Sequence, residues 1–352
     1  MTKGPMANAA RFVSVIMPCR DEEKYIAEAL ASLVAGDYPQ DRLEVLVVDG
    51  MSTDATRRIV TEFAGEHRFI RLLDNPRRIT PAALNIGISQ ARGDLIVRVD
   101  AHSTYPPDYI SSLAAWQEKT EADNVGGAWS ILPGGDTPMA KAIAVGLAQP
   151  FGAGNAYYRF GVTEPRWVDT VPFGCYPRKV FSWIGTFDED LVRNQDDEFN
   201  MRLRKHGGRI LLVPGLAVDY YARENLPKLA RMYYQYGYFK PLVAKKLGMV
   251  LGLRQLMPPL LVFSLAVGLL LGWLFPVLGV LGFLIFLTYV LADVISAWFA
   301  GSRLGPAVTA CLTLVFPTLH FSYGLGFLKG LLDFVVVGKP AGKAGNDLPL
   351  SR

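Results

Sequence analysis

An α/β domain, followed by an amphipathic helix and a membrane-embedded helical end, is the fold class this sequence predicts. Three observations point to it. Short runs of β-branched and aliphatic residues alternate with helical patterns from Phe12 to Val99. Those runs are apolar throughout rather than at every second position, which is the signature of parallel strands covered on both faces. The apolar side chains then concentrate at the C-terminal end. Between Arg254 and Arg303 the only charged side chain is Asp293, and no further Asp, Glu, Lys or Arg occurs until Lys329.

Composition agrees. Of 352 residues, 51% are hydrophobic and 19% charged, against a usual charged share of about 25%. This excludes a disordered chain, and a mean hydropathy of +0.22 is high for a soluble enzyme. A net charge of +4 gives no reason to expect a nucleic-acid partner. The three cysteines, Cys19, Cys175 and Cys311, are far apart with no C-x-x-C pair. They are expected to be reduced thiols, not zinc ligands or disulfides. Met1 to Arg11 has no apolar core behind a basic start, so no cleaved signal peptide is expected. The N-terminal part is expected to stay in the cytoplasm.

Taken in order, Phe12 to Met17 is a strand, Pro18 to Asp21 a polar turn, and about Glu22 to Leu33 a helix. Val45 to Val48 is a strand ending at Asp49, and Ser52 to Asp54 is expected to cap a helix reaching about Phe63. Phe69 to Leu73 is a third strand, Pro81 to Gln90 a helix, and Leu95 to Val99 a fourth strand ending at Asp100. A second half follows from about Val125 to Ala222. It holds the stretch Gly174 to Arg178, a helix from about Asp196 to His206 and a strand Ile210 to Val213.

Leu226 to Lys246 changes character. Leu226, Leu229, Met232, Tyr233, Tyr236 and Phe239 form one helical stripe, with Lys228, Arg231, Lys240, Lys245 and Lys246 adding positive charge. A basic, aromatic helix just before an apolar block is expected at an anionic membrane surface. Two apolar blocks, Leu256 to Phe275 and Val277 to Ala300, are each long enough as helices to cross a bilayer core of ~30 Å. Pro276 is the turn between them. A third block, about Gly305 to Phe327, either spans or breaks and re-enters. Arg303 fits a cytoplasmic loop, while Lys339, Lys343 and Arg352 leave the side of the C-terminus open. The expected division is 1–222 catalytic domain, 223–255 interface segment, 256–337 membrane region and 338–352 tail.

In parallel α/β sheets, ligands bind outside the carboxyl ends of the strands. Pro18, Asp49 and Asp100 all stand there. Asp100-Ala101-His102 offers an oxygen and a nitrogen ligand at i and i+2, suited to Mn²⁺ or Mg²⁺ against a diphosphate. Asp49 offers a carboxylate to a nucleoside, Arg20 to Glu23 lies where a nucleotide would sit, and Arg77 and Arg78 could balance a diphosphate. Gln195-Asp196-Asp197-Glu198 opens a helix whose dipole favours acids. One of those acids is a candidate general base.

The stretches VSVIMPCRDEEKYI, VLVVDGMSTDAT, AALNIGISQARGDLIVRVDAH and FDEDLVRNQDDEFNMRLRKHGG together resemble glycosyltransferase family 2, over about Val13 to Val213. The resemblance implies the GT-A fold, a Rossmann-like nucleotide-sugar domain. It also implies a UDP-sugar donor and a divalent cofactor, Mg²⁺ or Mn²⁺. Pro18, Cys19, Arg20 and Glu22 match the first nucleotide-binding loop, with Asp21 in place of the usual Asn. Asp49 matches the carboxylate that contacts the base, and Arg78 falls on the diphosphate side. Asp100 and His102 match the D-x-D metal motif, His replacing the second Asp. In the E-D-x-E/D-L-x-x-R pattern Asp196 takes the base position, with Asp197 the fallback.

Processive relatives such as cellulose and hyaluronan synthases carry Q-x-x-R-W after the base. The corresponding place here runs from Gln235 to Lys240 without the Arg-Trp pair, which favours a non-processive enzyme. Gln235 and Lys240 are then expected on the acceptor and diphosphate side. The D-A-H variant, the apolar blocks and His320 to Gly330 resemble the bacterial exopolysaccharide (succinoglycan) subgroup. That implies a hexose added to a polyprenyl-diphosphate-linked saccharide at the cytoplasmic membrane of a bacterium. A polyprenyl-phosphate sugar synthase is the alternative.

Overall fold

The computed structural model describes residues 10–154 and 156–340. Lys343 and Arg352, and with them nearly all of the expected tail, lie outside the described residues. So do nine residues of the N-terminal stretch read for a signal peptide. The chain divides into two compact units, Met1–Trp129 with Gly161–Glu189 and Phe199–Asp219, and Ser130–Phe160 with Asp190–Glu198 and Tyr220–Arg352.

The first unit is a mixed α/β layer structure. Strands β1 (Val13–Cys19), β2 (Leu43–Asp49), β3 (Ile70–Asp74) and β4 (Leu95–Arg98) pair in parallel in the order β3-β2-β1-β4. Helices α1 (Ile26–Val34), α2 (Thr56–Glu66) and α3 (Thr80–Gln90) make the crossovers. All seven residues of β2 are buried, as its unbroken apolar run required. Glu44, inside it, stays fully buried because Ser14 donates to it at 2.6 Å and Arg92 at 2.6 Å (N–H) and 3.0 Å (Nε).

Beyond β4 the sheet is no longer parallel. After the short β5 (Ser103–Thr104), α4 (Tyr109–Thr120) and β6 (Asn124–Leu132), strand β8 (Cys175–Pro177) enters between β4 and β6, antiparallel to both. The segment before it carries α5 (Pro138–Leu147), the single turn α6 (Pro150–Ala153) and β7 (Arg166–Val168), with α7 (Lys179–Ile184) and α8 (Gln195–Lys205) following. Strand β9 runs from Ile210 to Tyr221, longer than expected, and pairs antiparallel with β7. The core joins Val15, Met17, Val45, Val47, Leu95 and Val97 to Leu113 of α4 and Val213 of β9.

In the second unit α9 (Leu226–Leu247), α10 (Leu253–Leu271), α11 (Pro276–Gly301) and α12 (Pro306–Gly330) are long helices. Three stretches are long and apolar enough to cross a membrane: Leu253–Leu271, Pro276–Leu304 and Pro306–Val336. They associate the chain with a membrane. α10 and α11 form a hairpin in which a Cβ built on Gly268 would lie 2.7 Å from the Gly282 Cα, so only glycine permits that approach. Their remaining faces expose Leu269, Phe283 and Phe299, the surface a helix shows to lipid. The third block does not break. α12 is one helix through Pro317, prolonged by a π-helical turn at Leu331–Val336.

α9 is helical as expected and begins with an Asn225 cap accepting from the Lys228 N–H at 3.0 Å. Its middle turns differ from a simple amphipathic stripe. From Gln235 to Val243 only Tyr236 is not buried. Gly326 and Gly330 of α12 explain this: a Cβ on either would stand 2.1 or 2.0 Å from the carbonyl oxygens of Tyr234 and Tyr238, so the two helices touch backbone to backbone. Ile143, Leu147, Leu229, Met232, Leu312, Val315 and Phe316 fill the space between α5, α9 and α12.

Candidate active site

The loops that leave the parallel strands of the first unit are cross-tied. The Asp21 N–H donates to Ser52 Oγ at 2.8 Å, and the Thr53 N–H donates back to Asp21 Oδ1 at 2.8 Å. The Glu22 N–H donates to Thr56 Oγ1 at 2.7 Å, while the Ala55 N–H donates to the Glu23 carboxylate at 3.0 Å. Asp21 and Glu23 are thereby consumed in structure. At the start of α2 the Thr56 N–H donates to Asp54 Oδ1 at 3.0 Å, while Ala55 adds no side-chain bond and Ser52 serves the neighbouring loop. Asp21, Met51 and Arg78 adopt φ of 50°, 58° and 59°. Left-handed backbone at non-glycine residues is costly and often marks functional loops. No sequence pattern revealed it.

Asp49 is fully buried. Its oxygens accept from the Ser52 N–H at 3.0 Å, from Ser52 Oγ and from Arg57 Nη1 at 2.7 Å, and Arg57 reaches on to Asp74 at 2.8 Å. These bonds fix the loop after β2 around Asp49. Pro18 and Cys19 end β1, and the Cys19 thiol lies 3.8 Å from Asp49 Oδ1. Burial and the carboxylates of Asp49 and Glu22 push that thiol up, so it stays protonated. Arg20 sits 3.5 Å from Asp21, half-exposed. Arg77 is spent on Glu189, whereas Arg78 is exposed.

Asp100, His102 and Glu22 do converge. His102 Nδ1 is 3.3 Å from Glu22 Oε1, and His102 Nε2 is 4.0 Å from Asp100 Oδ2. The turn is fixed by Tyr105, whose hydroxyl accepts the Asp100 N–H at 2.7 Å and donates to the Asp100 carbonyl at 3.0 Å. Arg98, a neighbour that sequence reasoning passed over, donates to Asp100 Oδ1 at 2.8 Å and stacks 5.3 Å from the Phe173 ring centre. Among the described residues no group of three or more His, Cys, Asp or Glu side chains is arranged as a metal cage. Asp100 and His102, side by side at the carboxyl end of β4, offer the oxygen and nitrogen donors that suit Mg²⁺ or Mn²⁺. Diphosphate oxygens and water would complete the shell, as is usual for Mg²⁺.

In the second unit, the start of α8 meets α9. Asn194, with φ of 62°, donates from Nδ2 to the Tyr236 carbonyl at 2.8 Å. Arg193 Nε donates to Gln235 Oε1 at 3.3 Å, and Lys240 Nζ bonds Asp197 Oδ2. Gln235 and Lys240 thus stand beside the acidic turn and are themselves buried. Burial opposes ionisation of Asp197, but Lys240, by charge and hydrogen bond, and then Arg254 and Arg159 hold its carboxyl below the usual range. Such a carboxylate is a weak base. Arg202 ties the other end of α8 to the Ile184 and Thr186 carbonyls within the first unit.

A family model described as "Glycosyl transferase family 2" matches residues 14–182. The succinoglycan biosynthesis protein ExoA of Rhizobium meliloti is 31% identical over 333 residues, covering 91% of this chain and 95% of the relative. A dolichyl N-acetyl-alpha-D-glucosaminyl phosphate 3-beta-D-2,3-diacetamido-2,3-dideoxy-beta-D-glucuronosyltransferase of Methanococcus voltae is 29% identical, covering 91% and 97%. Among solved structures, the mannosyltransferase PcManGT of Pyrobaculum calidifontis, in complex with GDP-Man and Mn²⁺, superposes with a TM-score of 0.57 at 18% identity, over 93% of this chain and 88% of that one.

Proposed function

Because the chain belongs to glycosyltransferase family 2 and is a glycosyltransferase, we propose that it is a metal-dependent, inverting enzyme. In this reading it moves one hexose from a UDP-sugar to a polyprenyl-diphosphate-linked saccharide. The observation that carries the donor side is the Asp100–His102 pair at the carboxyl end of β4, backed by Glu22 and Arg98. Relatives that resemble the chain over 91% of its length support a lipid-linked acceptor in exopolysaccharide or cell-surface glycan assembly.

Asp100 and His102 would hold the Mg²⁺ or Mn²⁺, which supplies neutralising charge to the departing diphosphate. In this reading the cross-tied loops around Arg20, Glu22 and Ser52 would seat the nucleotide, and Arg78 would supply charge to its diphosphate. Asp196 takes the proton from an acceptor hydroxyl, because Asp197 is committed to Lys240. The hydroxyl then attacks the anomeric carbon opposite the leaving group, through an oxocarbenium-like state. The proposed setting is a bacterial cytoplasmic membrane with the catalytic domain on its cytoplasmic side.

The test is a screen of sugar nucleotides on detergent-purified protein with a bacterial lipid extract, following nucleoside diphosphate release with and without chelator. Metal-dependent release with one donor and inversion at the anomeric carbon are expected. Sugar appearing only on bare polyprenyl phosphate would replace this reading with a polyprenyl-phosphate sugar synthase, and long polymer would replace it with a processive synthase.

A further inference from the structure

A cluster of cations in the second unit lies around α9. Lys240 is 4% exposed and its ammonium bonds Asp197. Arg159, on the turn Tyr157–Arg159, donates from Nε to the Tyr158 hydroxyl at 3.3 Å and hydrogen-bonds Tyr233 of α9. Arg254 is the second residue of α10, and its stem lies across the loop after α6. A Cβ built on Gly154, whose φ is +61°, would be 3.1 Å from Arg254 Cβ and 3.5 Å from its Cδ. Both guanidinium groups act electrostatically on Asp197. Lys240 thus bonds Asp197 directly and Tyr158 and Tyr233 bond Arg159, so three cations and one carboxylate share this part of the second unit.

Charge and position select the ligand. A site built from two arginines and a lysine has a positive field. The planar forks of arginine match phosphate oxygens with paired hydrogen bonds. Arg254 also stands at the first turn of Leu253–Leu271, the first stretch able to cross a membrane. The phosphates of a bilayer lipid lie at the ends of membrane-spanning helices. The same cluster touches the first turn of α8, where Asp196 and Asp197 lie.

We propose that Arg159, Lys240 and Arg254 bind the diphosphate of a lipid-borne acceptor and hold it beside the first turn of α8. This rests on the reading above that the acceptor is lipid-linked. Asp197 is then a positioning residue that keeps the Lys240 ammonium in place.

The full chain in detergent tests this with farnesyl diphosphate, inorganic diphosphate, UDP and phosphatidylglycerol vesicles as probes. Farnesyl diphosphate should bind the wild type and be displaced by inorganic diphosphate. In Arg254→Gln and Arg159→Gln its affinity should fall about tenfold or more, the size of a lost charge-assisted hydrogen bond, with UDP affinity held within about twofold. An equal fall in UDP affinity would assign the cluster to the nucleotide and overturn the proposal. Unchanged farnesyl diphosphate affinity would also overturn it, as would loss of vesicle binding alone, which would mean a general lipid contact. If the glutamine variants fail to bind UDP because they do not fold, Arg159→Lys and the wild-type competition decide, and absence of competition refutes the site. A wild type that transfers sugar to a lipid-linked saccharide without any of these differences sinks the cluster alone. A wild type that transfers none sinks the reading beneath it.

Discussion

Asp196 and Asp197 are adjacent carboxylates on one helical turn, yet they are not equivalent. Asp197 is tied to Lys240, whose sequence distance of 43 residues hides the pairing from any local reading. Replacing Asp196 with Asn is expected to lower turnover by about 10²–10⁴-fold, the usual share of a general base, with UDP affinity unchanged. Asp197→Asn should keep much more of that turnover; steady-state kinetics on both variants checks the assignment. Asp197 also sets a pH dependence. Its folded carboxyl titrates below the unfolded value of about 3.9, so the stability it contributes is complete above that value and is lost as pH falls through the lower folded one. Melting curves between neutral and acid pH should therefore show Asp197→Asn losing less stability than the wild type. The sequence exposed the acids, the D-A-H pair and the strand-end position of Asp49. It could not reveal that Asp49 would be buried against Ser52 and Arg57, because that depends on how two loops meet.

Among the elements, the four parallel strands and their crossover helices were legible because apolar runs and helical periods are local signals. The antiparallel entry of β8 was not, since three residues, Cys175 to Pro177, carry no period of their own. α9 illustrates a different limit. Its stripe predicts a helix with one apolar side, while its burial from Gln235 to Val243 follows from glycines some ninety residues later in the chain, on α12. The close approach is open to test. Gly326→Val places atoms against the Tyr234 carbonyl and should destabilise the fold by about 1–3 kcal/mol or more, read as a lower melting temperature in detergent. Leu325→Val, at an exposed position of the same helix, should change it little. His320 ties α12 to two other elements: its Nε2–H donates to the Phe151 carbonyl at 2.7 Å, leaving Nδ1 to accept from Tyr289 at 2.9 Å. His320→Leu, which removes both bonds, should cost about 1–3 kcal/mol in the same assay.

For the molecule as a whole, the α/β strands and the apolar end were both visible in the sequence pattern, and α10, α11 and α12 match the three apolar blocks closely. Their length and lipid-like faces imply that the chain remains in the membrane pellet after an alkaline carbonate wash; release into the supernatant would contradict membrane-spanning helices. Asp100 and His102 together imply that chelation silences the enzyme and that Mn²⁺ or Mg²⁺ restores it, measured as nucleoside diphosphate release. The most direct measurement of the central claim is the mass of the lipid product made from a sugar nucleotide and a polyprenyl-diphosphate-linked saccharide. A gain of a single hexose in the wild type, absent in Asp196→Asn, is the expected result. A product carrying no added hexose with any donor, or the same gain in Asp196→Asn, would contradict it.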